Sequence, residues 1–125
     1  MGLDMNAYTI PKDVIKEQVD FEVGKEDGVV EIHYWRKHPN LHGWMEQLYY
    51  RKGGKAESFN CVNVMLTEAD LNELEQAING EHLPETAGFF FGNSDGSEKE
   101  DDLQFIAEAR QAIADGNDVF YSSWW

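Results

Sequence analysis

Basic and aromatic side chains that could bind an anion are concentrated in one stretch, residues 29–55. This stretch holds three of the four histidines, two of the four tryptophans and half of the lysines and arginines. The candidate ligand site within it comprises Trp35, Arg36, Lys37, His38 and His42. Its arginine and lysine supply charged donors, its tryptophan supplies a ring for stacking, and its histidines titrate near neutrality. This mixture suits a nucleotide, phosphate or carboxylate. The alternative interpretation is structural: Trp44 belongs to a core, and the basic side chains pair with acidic residues elsewhere in the chain.

Metal and catalytic chemistry have weaker signals. His38 and His42 are four residues apart, and His33 and Cys61 add two further zinc-type ligands. Pro39 breaks the helical spacing between the two histidines, and the chain has no second cysteine, so we predict no metal and no cofactor. RKGGK at 51–55 lacks the spacing of a phosphate loop, and no nucleophile–base motif occurs elsewhere. We therefore predict no catalytic residue.

Two further groups are candidates for partner contact. The first is acidic and comprises Glu98, Glu100, Asp101 and Asp102. These residues could hold Mg²⁺, but the start of a helix and a solvated face explain them without a ligand. The second group is the terminal pair Trp124 and Trp125. Strand alternation puts the two rings on opposite faces, so one is expected to pack inward and the other to contact a partner or a second copy in a homodimer.

Net charge is distributed unevenly along the chain. The total of −14 divides into −5 for residues 1–32, +4 for residues 33–55 and −13 for residues 56–125. Such a field repels nucleic acid and anionic membranes over most of the surface, so direct nucleic-acid binding and membrane association are not expected. The single cysteine excludes an intrachain disulfide and fits a reducing compartment. Met1 to Tyr8 shows no signal-peptide pattern, and no apolar run reaches the length of a membrane span.

Hydrophobic periodicity predicts the elements that position these residues. Alternation over 19–23 and 30–34 around a glycine-bounded loop predicts an N-terminal antiparallel hairpin. Residues 1–15 read as an irregular arm. A helix follows from an N-cap at Asn40 to the glycines at 53 and 54.

The second half of the chain continues the alternation of strands and helices. Residues 58–66 read as a central strand, and a capping box of Thr67 and Asp70 opens a helix that ends at Gly80. The run GFFFG at 88–92 is an inner strand or a packed loop. A second capping box at Ser97 and Glu100 opens a third helix, and residues 118–125 form the last strand. This order predicts one α+β domain over residues 1–125, a two-layer mixed sheet of about four to five strands with three helices.

Five segments in order also carry a family resemblance. They are RKHPNLHGWMEQLY, SFNCVNVMLT, GFFFG, DDLQFIAEAR and YSSWW. Together they resemble a small family of uncharacterised proteins from tailed phages and prophages, over most of residues 29–125. Some members bear the name phosphoglycerate kinase, which this chain does not support, because that enzyme is a much longer two-domain protein. The resemblance implies a virus-encoded accessory protein that works in the host cytoplasm.

These observations lead to three functional hypotheses. The first is a non-enzymatic phage protein that binds a host protein through its acidic surface, in host takeover or in countering host defence. The second is a module that binds a small anionic ligand, or a weak hydrolase, built on the 33–44 corner. The third is a minor component of the virion.

Overall fold

The computed structural model describes residues 2–86 and 97–125, which form one antiparallel sheet with helices packed on one face. Its strands are β1 (Asp4–Pro11), β2 (Val30–Arg36), β3 (Asn63–Leu66) and β4 (Asn117–Trp124), in the order β2-β1-β4-β3. Within the described residues there are three α-helices: α1 (Pro39–Arg51), α2 (Glu68–Asn79) and α3 (Lys99–Ala114). A 3₁₀ turn at Lys25–Asp27 lies in the connection between β1 and β2. The predicted α+β class, the three helices and the N-terminal antiparallel hairpin are confirmed.

The sheet differs from the expected mixed sheet, because every strand pair in its described residues is antiparallel. The last strand, β4, enters between β1 and β3 rather than at an edge. Its register with β1 extends from Asp4 opposite Trp124 to Pro11 opposite Asn117. The first and last segments of the chain therefore form the centre of the sheet.

The prediction of an irregular N-terminal arm is wrong. β1 is a central strand, and Leu3, Met5 and Ala7 are fully buried beneath the helices. Side chains of β1 alternate between the two faces of the sheet, so Asp4 and Asn6 point away from the helices. Pairing on both sides, with β2 and with the distant β4, orders this segment.

The prediction that residues 19–23 form the first strand of the hairpin is also wrong. Residues 19–23 form no strand; Val19 makes an isolated antiparallel bridge to Val64 on β3. Main-chain hydrogen bonds from Met65 to Gln18 and from Asp20 to Asn63 flank this bridge. The segment therefore lies along the outer edge of β3, at the opposite side of the sheet from β2. It is β1 that pairs with β2 in the hairpin.

The predicted strand at 58–66 is shorter than expected and lies at an edge. β3 begins at Asn63, and residues 58–62 form turns and irregular backbone in which Cys61 has a positive φ of 60°. The predicted run at 88–92 lies outside the described residues.

Helix boundaries agree best where a side-chain cap is present. The Thr67 hydroxyl accepts from the Asp70 N–H, and the Asp70 carboxylate accepts from the Thr67 N–H, as the capping box predicts. At α3 the helix begins at Lys99, and Glu98 rather than the predicted Ser97 lies at the cap position.

Apolar side chains pack on both faces of the sheet. The main core lies between the sheet and the helices, and it includes Leu41, Leu74 and Phe105. On the other face, the connection 12–29 covers a smaller cluster consisting of Ile10, Ile15, Phe21, Met65 and Phe120. We call this second face the open face, because Trp124 on it is largely exposed. None of the helices in the described residues is long and apolar enough to cross a membrane.

Candidate functional site

The 33–44 corner connects β2 to α1 and contributes side chains to both the interior and the surface. Lys37 adopts a left-handed conformation, with φ of 55°, and Pro39 occupies the first position of α1. The chain therefore turns sharply within two residues, and His38, not the predicted Asn40, lies at the N-cap position. Because of this turn, some of the five candidate residues lie in the interior and the others at the surface.

His38 and Trp35 lie inside and share one carboxylate. Asp102, in the first turn of α3, is 2% exposed and accepts a hydrogen bond from Trp35 Nε1 at 3.0 Å. Its other oxygen lies 2.8 Å from His38 Nε2, and His38 is itself 3% exposed. The Glu98 carboxylate is 3.8 Å from the other ring nitrogen of His38. Partners on both carboxylate oxygens offset the cost of burying the Asp102 charge.

His33 also faces carboxylates of α3. Its Nδ1 lies 3.0 Å from Glu108 and its Nε2 lies 3.0 Å from Asp101, while its ring packs 4.5 Å from that of Trp35. A protonated imidazole supplies two N–H donors, so the charged form satisfies both carboxylates at once. The arrangement joins β2 to α3 through the His33 side chain.

His42 lies deeper and has a different environment. It is 1% exposed, and its Nδ1 lies 2.7 Å from the Tyr121 hydroxyl. The rings of Phe59 and Trp125 pack against it, at 5.0 and 4.8 Å between centroids. Burial lowers the pKa of His42 to about 4, so the imidazole is neutral at pH 7. Burial likewise raises the pKa of the Tyr121 hydroxyl well above its usual value.

Arg36 and Lys37 are the exposed residues of the corner. The Arg36 side chain is 54% exposed, and its Nε lies 4.0 Å from a carboxylate oxygen of Asp4, the outer limit of an ion pair. The five candidate residues thus do not share one accessible surface, because Trp35, His38 and His42 are buried.

A cavity of about 170 Å³ lies next to the buried part of the corner. Among its described lining residues, His38 is the only one of the five candidates. Lys99 contributes a positive charge to the lining, whereas Glu81, Glu98 and Asp102 contribute carboxylates. An anion entering this cavity would therefore meet more negative than positive groups.

Two of the remaining basic residues of the stretch, Arg51 and Lys52, pair with α2. Lys52 Nζ lies 2.5 Å from Asp70 and also donates to the Met65 carbonyl, with little solvent exposure of either charged group. Arg51 contacts Glu73 at 3.0 Å on the surface. Sequence reasoning assigned Asp70 only its capping role and missed its ion pair with Lys52; the acidic and basic totals of the two segments were the available signal.

Metal-type ligands are present in the corner but do not converge. Within residues 2–86 and 97–125, no group of three or more histidine, cysteine or acidic side chains has an arrangement that could hold a metal ion. His33, His38 and His42 each face different partners, and Cys61 is exposed.

The two terminal tryptophans point in opposite directions, as alternation predicts. Trp125 is partly buried against the main core, and its main-chain N–H donates to the Asn60 side chain. Trp124 is 64% exposed and lies opposite Asp4 on the open face. The acidic candidates lie on α3, on the helical side of the sheet, and Asp102 among them is buried. The predicted partner-binding residues therefore belong to two surfaces.

The fold and the site define a small α+β protein in which Arg51 and Lys52 of the basic stretch form close ion pairs with its own carboxylates, while Arg36 and Lys37 are exposed. Comparison of the chain with models of protein families, with curated proteins and with solved structures finds no significant match to any of them.

Proposed function

We propose that the protein acts without catalysis, by docking its acidic helical face onto a basic surface of a partner protein. The phage resemblance makes a host protein in the bacterial cytoplasm the expected partner. The observation that carries the proposal is that basic and histidine side chains of one segment are used inside the molecule. Side chains of the only net-positive segment, residues 33–55, contact the carboxylates of Asp70, Glu73, Asp101, Asp102 and Glu108.

This internal pairing leaves the outside with an excess of negative charge. The chain has a net charge of −14. Arg110 of α3 forms an ion pair with Glu75, and its hydrogen bonds lower the pKa of the Glu75 carboxyl. Exposed carboxylates such as Glu68 on α2 and Glu100 on α3 remain on the outer side of the helices. A dense negative surface steers association with basic proteins, and it competes with nucleic acid for the same basic surface. Host takeover or interference with a host defence protein fits this mode of action.

The first experiment is capture of partners from a lysate of host bacteria over a range of salt concentrations. We expect a stoichiometric partner at physiological ionic strength, loss of that partner as salt rises, and displacement by a short DNA duplex. Recovery of no stoichiometric partner, or of one whose binding is indifferent to salt, would contradict the proposal.

Matched charge variants then locate the surface. Glu68→Lys with Glu100→Lys alters the helical face, whereas Glu17→Lys with Glu22→Lys alters the connection between β1 and β2. Each pair adds four charges and changes the net charge from −14 to −10. We expect the helical pair to weaken capture strongly and the other pair to weaken it little. Equal loss with both pairs would assign the effect to overall charge and not to the helical face.

The alternative, a module for a small anionic ligand or a weak hydrolase, retains Arg36 and Lys37 as its accessible residues. A thermal shift assay with a panel of nucleotides and inorganic phosphate tests this alternative. A ligand at 100 times its Kd adds about 2.7 kcal/mol to the free energy of unfolding. A shift of the melting temperature that Arg36→Ala abolishes would replace our proposal with this one. Mass spectrometry of purified phage particles tests the third hypothesis, a minor virion component.

A further inference from the structure

Edge strand β2 carries charges that complement those of a second copy of the same strand. The opposite edge of the sheet is occupied, because Gln18 and Asp20 hydrogen-bond along β3. No described residue pairs with the outer side of β2. Several of its side chains are also accessible, with Val30 58% and Tyr34 49% exposed. An exposed strand edge pairs readily with another strand unless its side chains prevent it.

A bulge places the two charged residues of β2 on the same face. Ala7 lies opposite His33, but the next residue, Tyr8, lies opposite Glu31, so Ile32 is an extra residue in β2. Tyr8 packs into the smaller cluster on the open face, and Glu31 therefore points to that face as well. A regular strand would turn Glu31 toward the helices, together with His33.

With the bulge, Glu31, Tyr34 and Arg36 form one row on the open face. Their contacts with β1 agree with this placement: the Asn6 amide donates to Glu31, and the Tyr34 hydroxyl donates to Asp4. The row is acidic at one end, aromatic in the middle and basic at the other end.

We propose that β2 pairs antiparallel with β2 of a second copy, about a two-fold axis through Tyr34. The two Tyr34 side chains then lie side by side. Because the bulge keeps Ile32 as the extra residue in each strand, Arg36 of each copy lies opposite Glu31 of the other. A two-fold interface repeats each contact, so the arrangement makes two cross-strand ion pairs and one aromatic pair. The ion pair of Arg36 with Asp4 within the copy spans 4.0 Å, so it offers little resistance to the new contact.

The size of the interface limits the strength of the association. One pair of seven-residue strands covers less area than a stable dimer interface, and both copies carry −14. We therefore expect a concentration-dependent equilibrium, favoured at physiological salt, where repulsion between the copies is screened.

Sedimentation equilibrium at physiological ionic strength tests the proposal with the intact chain. The wild-type protein should change with concentration from the 14.3 kDa of the monomer to twice that mass. Glu31→Arg and Arg36→Glu should each raise the dissociation constant at least about tenfold, because like charges then face each other twice. Circular dichroism confirms that each variant is folded.

Charge exchange supplies the decisive comparison. An equimolar mixture of the Glu31→Arg and Arg36→Glu chains should form a mixed dimer, and the double variant should dimerise with itself. Glu22→Arg and Lys12→Glu make the same changes of net charge away from β2 and should leave dimerisation intact. A wild-type chain that remains monomeric, or a dimer that survives both single changes at β2, would overturn the proposal. So would a mixture that fails to associate.

Discussion

The buried imidazole of His42 should make the protein less stable as the pH falls below neutrality. In the folded chain its pKa is about 4, whereas an unfolded histidine titrates near 6.5. A depressed folded pKa means that the unfolded state binds the proton first, so stability is full above pH 6.5 and decreases from there down to pH 4. The two pKa values give a loss of about 2 kcal/mol between pH 7 and pH 5, and about 3 kcal/mol by pH 4.

The contribution of His42 can be isolated because other groups cancel in a comparison of variants. Urea unfolding of the wild-type protein and of His42→Gln at pH 7 and pH 5 gives the pH-dependent change in each. We expect the wild-type change to exceed that of the variant by about 2 kcal/mol in the destabilising direction. The absolute stability of the variant does not affect this difference, provided that it folds.

A second variant separates protonation from the hydrogen bond. Tyr121→Phe removes the hydroxyl that contacts His42 and should cost about 1–2 kcal/mol at both pH values, while the imidazole remains buried. Its pH dependence should therefore resemble that of the wild-type chain. Equal pH dependence in the wild-type protein and in His42→Gln would refute the reasoning, because it would mean that burial does not depress the pKa of this group.

Two further predictions concern the packing of the corner and of the end of α1. Asp102→Ala should cost about 3 kcal/mol, because it leaves two buried donors without their carboxylate. Glu100→Ala, two residues earlier on the exposed side of α3, should change stability by less than about 0.5 kcal/mol. Chemical denaturation measures both changes, and equal effects would contradict the assigned burial. Gly54→Ala should cost about 2 kcal/mol or more, since the new methyl group would lie 2.3 Å from the buried ring of Tyr49. Gly53→Ala, with φ of +96° but open space around it, should cost only backbone strain of about 1 kcal/mol. The reverse ranking of the two variants in melting temperature would show that the Tyr49 ring can move aside.

The helices show how far local signals extend in this chain. The capping box of Thr67 and Asp70 and the apolar spacing of α2 depend on neighbours within one or two turns, and the structure reproduces that helix to its boundaries. At α3 the apolar spacing predicted the helix, whereas the cap position falls at Glu98, one residue later than the predicted Ser97.

The candidate site shows where local reasoning stops. Residue types predicted a corner of basic and aromatic side chains, and that corner exists at the junction of β2 and α1. Whether a ligand could reach this corner depends on α3, more than 60 residues further along the chain. Asp102 of that helix hydrogen-bonds to both Trp35 and His38. Only the packing of α3 against β2 turns an apparent anion site into a set of internal hydrogen bonds.

Local patterns in the sequence thus determined the three helices, the α+β class and the excess of negative charge, since each arises from residues close together or from simple sums. Tertiary structure decided the rest. β1 became a central strand because β4 pairs with it from the other end of the chain, and the bulge in β2 set which way Glu31 points. Pairing between distant segments selects one register among many of similar local propensity. Burial then decides which charges remain at the surface.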